Sequence, residues 1–241
     1  NANGPVYGVS MSDDMLVITD PVSHRSTSLQ VPVRDPDTPS YFPVDNFEPS
    51  PFWGDEPIMN APANIHNPMM DGQGRVWLTS SVRPSPNPDW CGESSDHPSA
   101  RYFPVGFSGR QASYFDPATQ KFVLVDTCYG THHLQFAEDA DDTLWFSGDT
   151  NVVGWLKTRV LDETGDERTS QGWCPTVIDT NGDGVITKPW NEPRRGGGAS
   201  DPSLDTRLAG FAYGIIPNPA DGSVWIARTQ PVPGQLLRLE L

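Results

Sequence analysis

This chain has few basic residues. It also has no long apolar run and no signature of two large enzyme classes. Only 16 Lys and Arg residues stand against 31 Asp and Glu residues, which gives a formal net charge of −15. Binding of nucleic acid through a basic surface is therefore not expected. No apolar run approaches the roughly 20 residues that a membrane-spanning helix needs, so no membrane span is predicted. Neither Gly-x-Ser-x-Gly nor His-Glu-x-x-His occurs, and the serine-hydrolase elbow and the zinc-protease helix have no counterpart.

Cysteine is also rare, and its spacing matches no zinc ribbon or Cys-x-x-Cys motif. Cys91 lies in a polar stretch and Cys128 follows an apolar strand. We expect a bridge between these two, which would anchor the long insertion at 80–112 and leave Cys174 unpaired. The alternative is three free thiols in a reducing compartment. A disulfide favours an extracellular or periplasmic location.

Proline and glycine are abundant, with 25 and 22 residues, while only 36% of the chain is hydrophobic. Such a balance favours many short strands joined by rigid turns and disfavours a helical bundle. The three longest connections, at 34–62, 80–112 and 157–208, are rich in Pro, Ser, Asp and Gly. Connections of this length in a compact domain are commonly functional or lack regular structure.

One hairpin pattern repeats along the chain. A short apolar strand, an Asp-rich turn and a second strand containing Trp occupy 131–147, and 64–79 and 211–227 have the same arrangement. A degenerate copy opens the chain. Two hairpins per repeat would form a four-stranded antiparallel blade. The sequence therefore predicts an all-β chain, a single domain over 1–241, with blade-like segments near 5–33, 64–125, 131–157 and 211–241.

The repeat resembles the blades of streptogramin B lyase-like (virginiamycin B lyase-like) propellers, which are relatives of the NHL group. The resemblance rests on a His or Tyr, a short apolar strand, an Asp-Gly-type turn and Val-Trp or Leu-Trp, and covers about half of the residues. It implies a β-propeller. Lyase-like members resemble six- or seven-bladed rings, so four blade-like segments are expected to form part of a larger ring. Unrelated hairpins in a β-sandwich are the alternative.

The same resemblance implies a catalytic site at the rim of the channel, where a His acts as base and a divalent cation assists. His66, His133 and Tyr213 occupy the matching positions, at the start of the first strand of each repeat, as does Tyr7. Strand alternation predicts that His132 faces away from His133. The implied activity is a lyase or hydrolase acting on an ester or lactone. The structural alternative is that these rings only cap strand starts.

A second function is compatible with the sequence. Long polar loops on a propeller can bind a small molecule, peptide, protein or glycan without any catalysis. A cation bound beside His66 and His133 would favour the enzyme. A metal bound only in the 179–185 loop would favour the binding protein.

Residues 179–185 carry the strongest chemical motif of the chain. Asp179, Asn181 and Asp183 alternate before Gly184, as in the first half of an EF-hand calcium loop, and Val185 would add a backbone carbonyl. The twelfth position, which normally supplies a bidentate Glu, is Trp190. We expect Ca²⁺ in this loop, with Glu192, water or a distant acid filling the gap. The alternative is a metal-free cluster of Asx turns.

Overall fold

Strands joined by short turns make up most of the regular structure in the computed structural model. It describes residues 4–42, 48–52, 54–55, 57, 59–148, 151–192, 200–208, 212–228 and 234–240. Two compact units are present. The first comprises Asn1–Asn87 and Phe107–Leu134, and the second Pro88–Gly106 and Gln135–Leu241.

Two antiparallel sheets form the first unit. Their strands follow one another in chain order, and the sheets are β1-β2-β3 and β4-β5-β6-β7. The strands are β1 (Val6–Ser10), β2 (Met15–Asp20), β3 (Arg25–Gln30), β4 (His66–Met70), β5 (Val76–Ser80), β6 (Gln111–Asp116) and β7 (Lys121–Val125). One apolar cluster joins both sheets: Leu16, Val31, Ala63, Ile65, Val76, Leu78 and Phe115.

The second unit contains a four-stranded sheet, a two-stranded ribbon and a three-stranded sheet, in the orders β11-β10-β9-β8, β12-β13 and β14-β15-β16. The strands are β8 (His133–Phe136), in which the unit boundary falls, β9 (Thr143–Ser147), β10 (Val152–Lys157), β11 (Gln171–Pro175), β12 (Val177–Ile178), β13 (Thr206–Arg207), β14 (Gly214–Pro217), β15 (Val224–Arg228) and β16 (Gln235–Leu239). Two short helices, α1 (Pro98–Tyr102) and α2 (Thr158–Thr164), lie in the long connections. The apolar core of this unit contains Trp145, Val153, Ala212, Ile215, Val224 and Ile226.

Aspartate side chains build the hairpin turns. In the β4–β5 turn, Asp71 accepts hydrogen bonds from the backbone N–H of Gln73 and from Nε1 of the buried Trp77, both at 2.9 Å. Gly74 completes this turn at φ +86°, a conformation that residues with a Cβ avoid. In the β8–β9 turn, Asp139 accepts from the backbone N–H of Thr143 over 2.9 Å. Trp77 is therefore positioned partly by the acid of the turn before it.

The predicted hairpins are confirmed as β4–β5, β8–β9 and β14–β15, each in a different sheet. The all-β class with four-stranded antiparallel sheets is confirmed as well, and none of the described sheets closes on itself. Residues 209–211, 229–233 and 241 of the last predicted segment lie outside the described residues.

Two details differ from the sequence prediction. The many charged residues at 162–168 favour a loop, but α2 continues to Thr164. Gly165 ends this helix in the left-handed conformation at φ +66°, which is a common helix terminator. The second detail is β11, which the sequence analysis did not predict because Gln171–Pro175 shows no alternation of apolar and polar residues.

Candidate functional site

Three histidine rings come together in the first unit. His66 begins β4 and His133 begins β8, as the repeat predicted, and their ring centroids lie 6.0 Å apart. His132 lies between them, 4.6 Å from His66 and 4.5 Å from His133. All three side chains are partly exposed, although Nε2 of His133 is itself buried. We call these three residues the histidine cluster.

The prediction that His132 faces away from His133 is wrong. The two rings are stacked, with an angle of 5° between their planes. Alternation of side chains holds only inside a strand, and β8 starts at His133, so His132 still has irregular backbone geometry. The sequence therefore predicted two members of the histidine cluster and missed the third.

Backbone conformations around His66 are unusual. Asn64 and Asn67 have positive φ angles of 43° and 36°, and the register of β4 against β5 shifts between His66 and Met69. Asn tolerates this region better than most residues with a Cβ, which explains its presence on both sides of His66. Irregular pairing of this kind often re-aims a side chain beside a functional site.

Thr79 on β5 holds the backbone of the histidine cluster. Its fully buried hydroxyl lies 3.0 Å from the carbonyl oxygen of His66 and 3.2 Å from that of His132, and donates to this pair of acceptors. One side chain thus ties together two segments that are far apart in the sequence.

Asn67 fixes the tautomer of His133. The carbonyl oxygen of His132 accepts a hydrogen bond of 2.9 Å from Nδ2 of Asn67, and a carbonyl can only accept. This contact orients the amide. The same Nδ2 atom lies 2.7 Å from Nδ1 of His133, which must therefore accept its other hydrogen. Neutral His133 then carries its proton on Nε2.

His66 has the same tautomer for a different reason, because its Nδ1 accepts from the backbone N–H of Asn67 over 3.0 Å. Two neutral rings thus carry their proton on Nε2, an N–H group that can donate to a negatively charged oxygen. In His133 this atom is buried, so His66 is the better placed donor of the two. A metal bound through Nε2 would require the proton on Nδ1, where both rings meet N–H donors. This pattern disfavours metal ligation by His66 and His133, and the divalent cation at the rim stays a prediction.

Tyr213 belongs to the second unit and lies just before β14. Its backbone N–H donates to Ala227 over 2.7 Å, and its carbonyl accepts from Oγ of Ser147 over 2.5 Å. The side chain is 43% exposed. Tyr7, which occupies the matching position in the first repeat, packs against the apolar core of the first unit, and burial raises its pKa above the usual value. Tyr7 is correspondingly a poorer acid.

The loop at 179–185 is held by its own carboxylate and amide groups. Asp179 accepts from the backbone N–H of Gly182 over 2.7 Å and of Gly184 over 2.9 Å. Asn181 accepts from Asp183 over 2.9 Å, and Asp183 from Val185 over 2.8 Å. This pattern is compatible with both a calcium loop and a cluster of Asx turns. Within the described part of the chain, no three His, Cys, Asp or Glu side chains are arranged to hold a metal ion.

Glu192, the acid that we expected to compensate for Trp190, takes part in other contacts. Its Oε1 accepts from Nε of Arg207 and from Nε1 of Trp190, both at 2.8 Å. The hydrogen bond from Arg207 is the main reason that the pKa of Glu192 is lowered. The 179–185 loop thus has a competitor for this carboxylate.

The cysteines follow the sequence prediction. Cys91 and Cys128 are disulfide-bonded, and Cys174 is a free cysteine. Burial raises the pKa of the Cys174 thiol to about 11, which makes it a poor nucleophile at neutral pH.

A cleft of about 620 Å³ opens in the second unit beside the start of α1. Trp155, Asp166, Arg168 and the Asp96 carboxylate lie along it. The turn-like sequence Asp96-His97-Pro98 favours a structural or solvated role for His97, and this residue is buried in the structure. Its Nε2 lies 3.1 Å from the carbonyl oxygens of both Arg168 and Gln171, and its ring stacks on Trp173.

Comparisons with family models, curated proteins and solved structures give no match for this chain. Across the described residues, no helix is both long and apolar enough to cross a membrane.

Proposed function

We propose that this chain is a lyase-like enzyme that opens an ester or lactone at the histidine cluster, and that its sheets form blades of a streptogramin B lyase-like propeller. The observation that supports the activity is the grouping of three partly exposed imidazoles, two of which have their neutral tautomers fixed by Asn67. The disulfide supports an extracellular or periplasmic location.

The proposed reaction needs one imidazole that acts as a base and another that donates a hydrogen bond. A base removes a proton from a carbon that the substrate carbonyl activates, and the carbon–oxygen bond of the ester breaks as a double bond forms. The carboxylate is the leaving group. The N–H group of His66 stabilises the negative charge that develops on oxygen, and His133 joins it once its buried Nε2 is uncovered by a rotation of the ring. The base needs a lone pair, and we therefore assign this role to His132.

Turnover of a panel of lactones and linear esters, followed by mass spectrometry, tests the proposal. Elimination opens a lactone without changing its mass, whereas hydrolysis adds one water. We expect His132→Ala to reduce kcat/KM by about 10²–10⁴, with a similar or smaller loss for His133→Ala. His24→Ala is the matched control, since His24 lies exposed in the β2–β3 turn. Activity that survives loss of every ring in the histidine cluster would contradict the proposal.

The tautomer assignment has its own test, which needs no substrate. Asn67→Asp places two acceptor oxygens where Nδ2 now donates, so the proton of neutral His133 should move to Nδ1. Nitrogen NMR of the histidine side chains distinguishes the two tautomers. If wild-type His133 already carries its proton on Nδ1, the donor role fails.

A second candidate function is binding without catalysis, and the cleft in the second unit favours it. An aromatic face at Trp155 beside Asp166 and Arg168 suits a glycan or a short peptide. Screening a glycan and peptide array with wild type and Trp155→Ala tests this function. Loss of a ligand in the variant, together with no turnover of esters or lactones by the wild type, would favour the binding protein.

A further inference from the structure

Asp205 is the most unusual carboxylate of the second unit. It is 1% exposed, and its Oδ1 has no hydrogen-bond partner in the described structure. Its Oδ2 accepts from the backbone N–H of Thr187 over 3.1 Å. A buried charged oxygen without a partner is costly, and such a group in a folded protein commonly indicates an ion or water at that position.

The position of Asp205 follows from the ribbon of β12 and β13. Ile178 pairs with Thr206 and Val177 with Arg207, so Asp179 and Asp205 occupy the next pair of positions at the open end of the ribbon. Residues that face each other across antiparallel strands bring their side chains close together, and two like charges there are destabilising. A cation between them would remove this repulsion.

The segment before β13 runs along the loop. Oγ1 of Thr180 donates to the carbonyl oxygen of Leu204 over 3.0 Å, and Nδ2 of Asn181 donates to that of Ser203 over 3.2 Å. Asp205 therefore follows two residues that already contact the 179–185 loop. Its contact partner Thr187 is the ninth residue counted from Asp179.

The surrounding charges leave the acids without a protein counter-ion. Within the described part of the chain, no Lys or Arg forms an ion pair with Asp179, Asp183 or Asp205. The nearby Arg207 pairs with Glu192 instead. Three carboxylates at one end of a two-stranded ribbon thus lack a positive partner.

We propose that Asp205 is a ligand of a two-segment calcium site, in which it replaces the acid that an EF-hand loop carries at its twelfth position. Asp179, Asn181 and Asp183 supply side-chain oxygens, Val185 supplies its carbonyl, and water completes the six to eight ligands that Ca²⁺ prefers. In the described structure Asp179, Asp183 and Asp205 are not yet arranged to hold a metal ion, and Nδ2 of Asn181 donates to Oδ2 of Asp183 over 3.1 Å. The site therefore forms only when these side chains turn toward the ion. Glu192 remains paired with Arg207.

Calorimetric titration with CaCl₂ tests the assignment on the whole chain. We expect wild type to bind one Ca²⁺ with a Kd on the order of 10⁻⁴ M and MgCl₂ to bind far more weakly. Asp205→Asn keeps an acceptor for Thr187 but loses the charge, and should weaken Ca²⁺ binding about tenfold or more. Glu192→Gln is the matched control and should stay within about twofold of wild type.

Melting curves in EDTA and in millimolar CaCl₂ separate binding from folding. Asp205→Asn should melt in EDTA at or above the wild-type temperature, because a repulsive charge is gone, and should lose the rise that calcium gives to wild type. Unchanged calcium affinity in Asp205→Asn would overturn the role of Asp205. Equal losses in both variants would make Glu192 a ligand as well, and would contradict the assignment of the missing acid to Asp205 alone. If wild type does not bind calcium at millimolar concentration, the proposed calcium site is wrong. This result would not depend on the activity of the histidine cluster.

Discussion

Asp14 in the first unit and Asp205 in the second are buried to almost the same extent, at 0% and 1% exposure. Both oxygens of Asp14 are satisfied, by the backbone N–H groups of Ala63 at 2.6 Å and Ile65 at 3.3 Å. Only one oxygen of Asp205 has a partner. Burial alone therefore does not distinguish a structural acid from a binding acid. The difference lies in how many lone pairs the chain itself satisfies.

Replacing each acid with Ala is the most direct test of whether Asp14 is structural and Asp205 is not. Asp14→Ala leaves two buried backbone donors without an acceptor, and we expect it to lower the free energy of unfolding by about 3 kcal/mol. Asp205→Ala in EDTA should cost less than ~1 kcal/mol, since the lost hydrogen bond is partly offset by relief of repulsion. Urea denaturation of both variants measures these effects. Equal costs would mean that Asp205 is as structural as Asp14.

The pH dependence of stability isolates Asp14 further. Burial raises the pKa of Asp14 from 3.8 to about 6, although the hydrogen bonds from Ala63 and Ile65 oppose the shift. The folded state thus holds this proton more tightly than the unfolded state. Its contribution is complete below pH 3.8 and is lost as the pH rises through 6. The total loss should be about 3 kcal/mol, and the part of it that falls between pH 4 and pH 6 about 2 kcal/mol.

Denaturation midpoints at several pH values measure this contribution. Because Asn does not titrate, the stability of wild type relative to Asp14→Asn should fall between pH 4 and pH 6 by that amount. Subtraction removes the titration of the histidines, which both proteins share. A difference that stays constant across this range would contradict the shift.

Thr79 tests with an uncharged group how much a buried side chain contributes by satisfying backbone hydrogen-bonding groups. Thr79→Val keeps the shape of the side chain but removes the donor to the carbonyl oxygens of His66 and His132. We expect a loss of about 1 kcal/mol in the free energy of unfolding and a lower kcat in the ester or lactone assay. Thr164→Val, at the exposed end of α2, is the control. If Thr79→Val lost stability and kept full activity, the hydroxyl would only support the fold.

The smallest effect is expected at Glu192, whose side chain is 51% exposed. Its pKa is lowered, so its contribution has the opposite sign to that of Asp14: present above pH 4.5 and lost as the pH falls. Solvent screening limits the value of this pair, and Glu192→Gln should cost less than ~0.5 kcal/mol in thermal unfolding at pH 7. A cost comparable to that of Asp14→Ala would show that the Arg207 pair organises the ribbon.

Hairpins were the most predictable part of the fold, because each signal is local. Alternation around Leu134 and Phe136 predicts a half-buried strand, and an Asp-rich turn before Trp145 predicts the return. The same repeats placed His66 and His133 at strand starts. Those positions are fixed by backbone pairing within a few residues, which a pattern in the sequence can report.

Contacts between distant segments were beyond the reach of such patterns. His132 joins the histidine cluster only because β8 begins one residue later, and boundaries are the least certain part of any pattern. Asp205 lies beside the 179–185 loop at the end of a two-residue ribbon, which is too short to give an alternation signal. The motif at 179–185 did indicate that an acid was missing. A search for a lone Asp flanked by strand-like residues downstream could have suggested where it lies.

The Asp14 contact also decides how the first unit tolerates changes in length. It joins positions 49 residues apart and closes the chain around the long connection at 34–62. The entropy of closing a flexible loop grows only with the logarithm of its length, by about 0.6 kcal/mol for each doubling. Once the carboxylate has captured the N–H groups of Ala63 and Ile65, this connection can gain or lose residues at little cost to stability. The hydrogen bonds of Asp14 thus allow insertions in the 34–62 connection without displacing His66, the residue directly after Ile65.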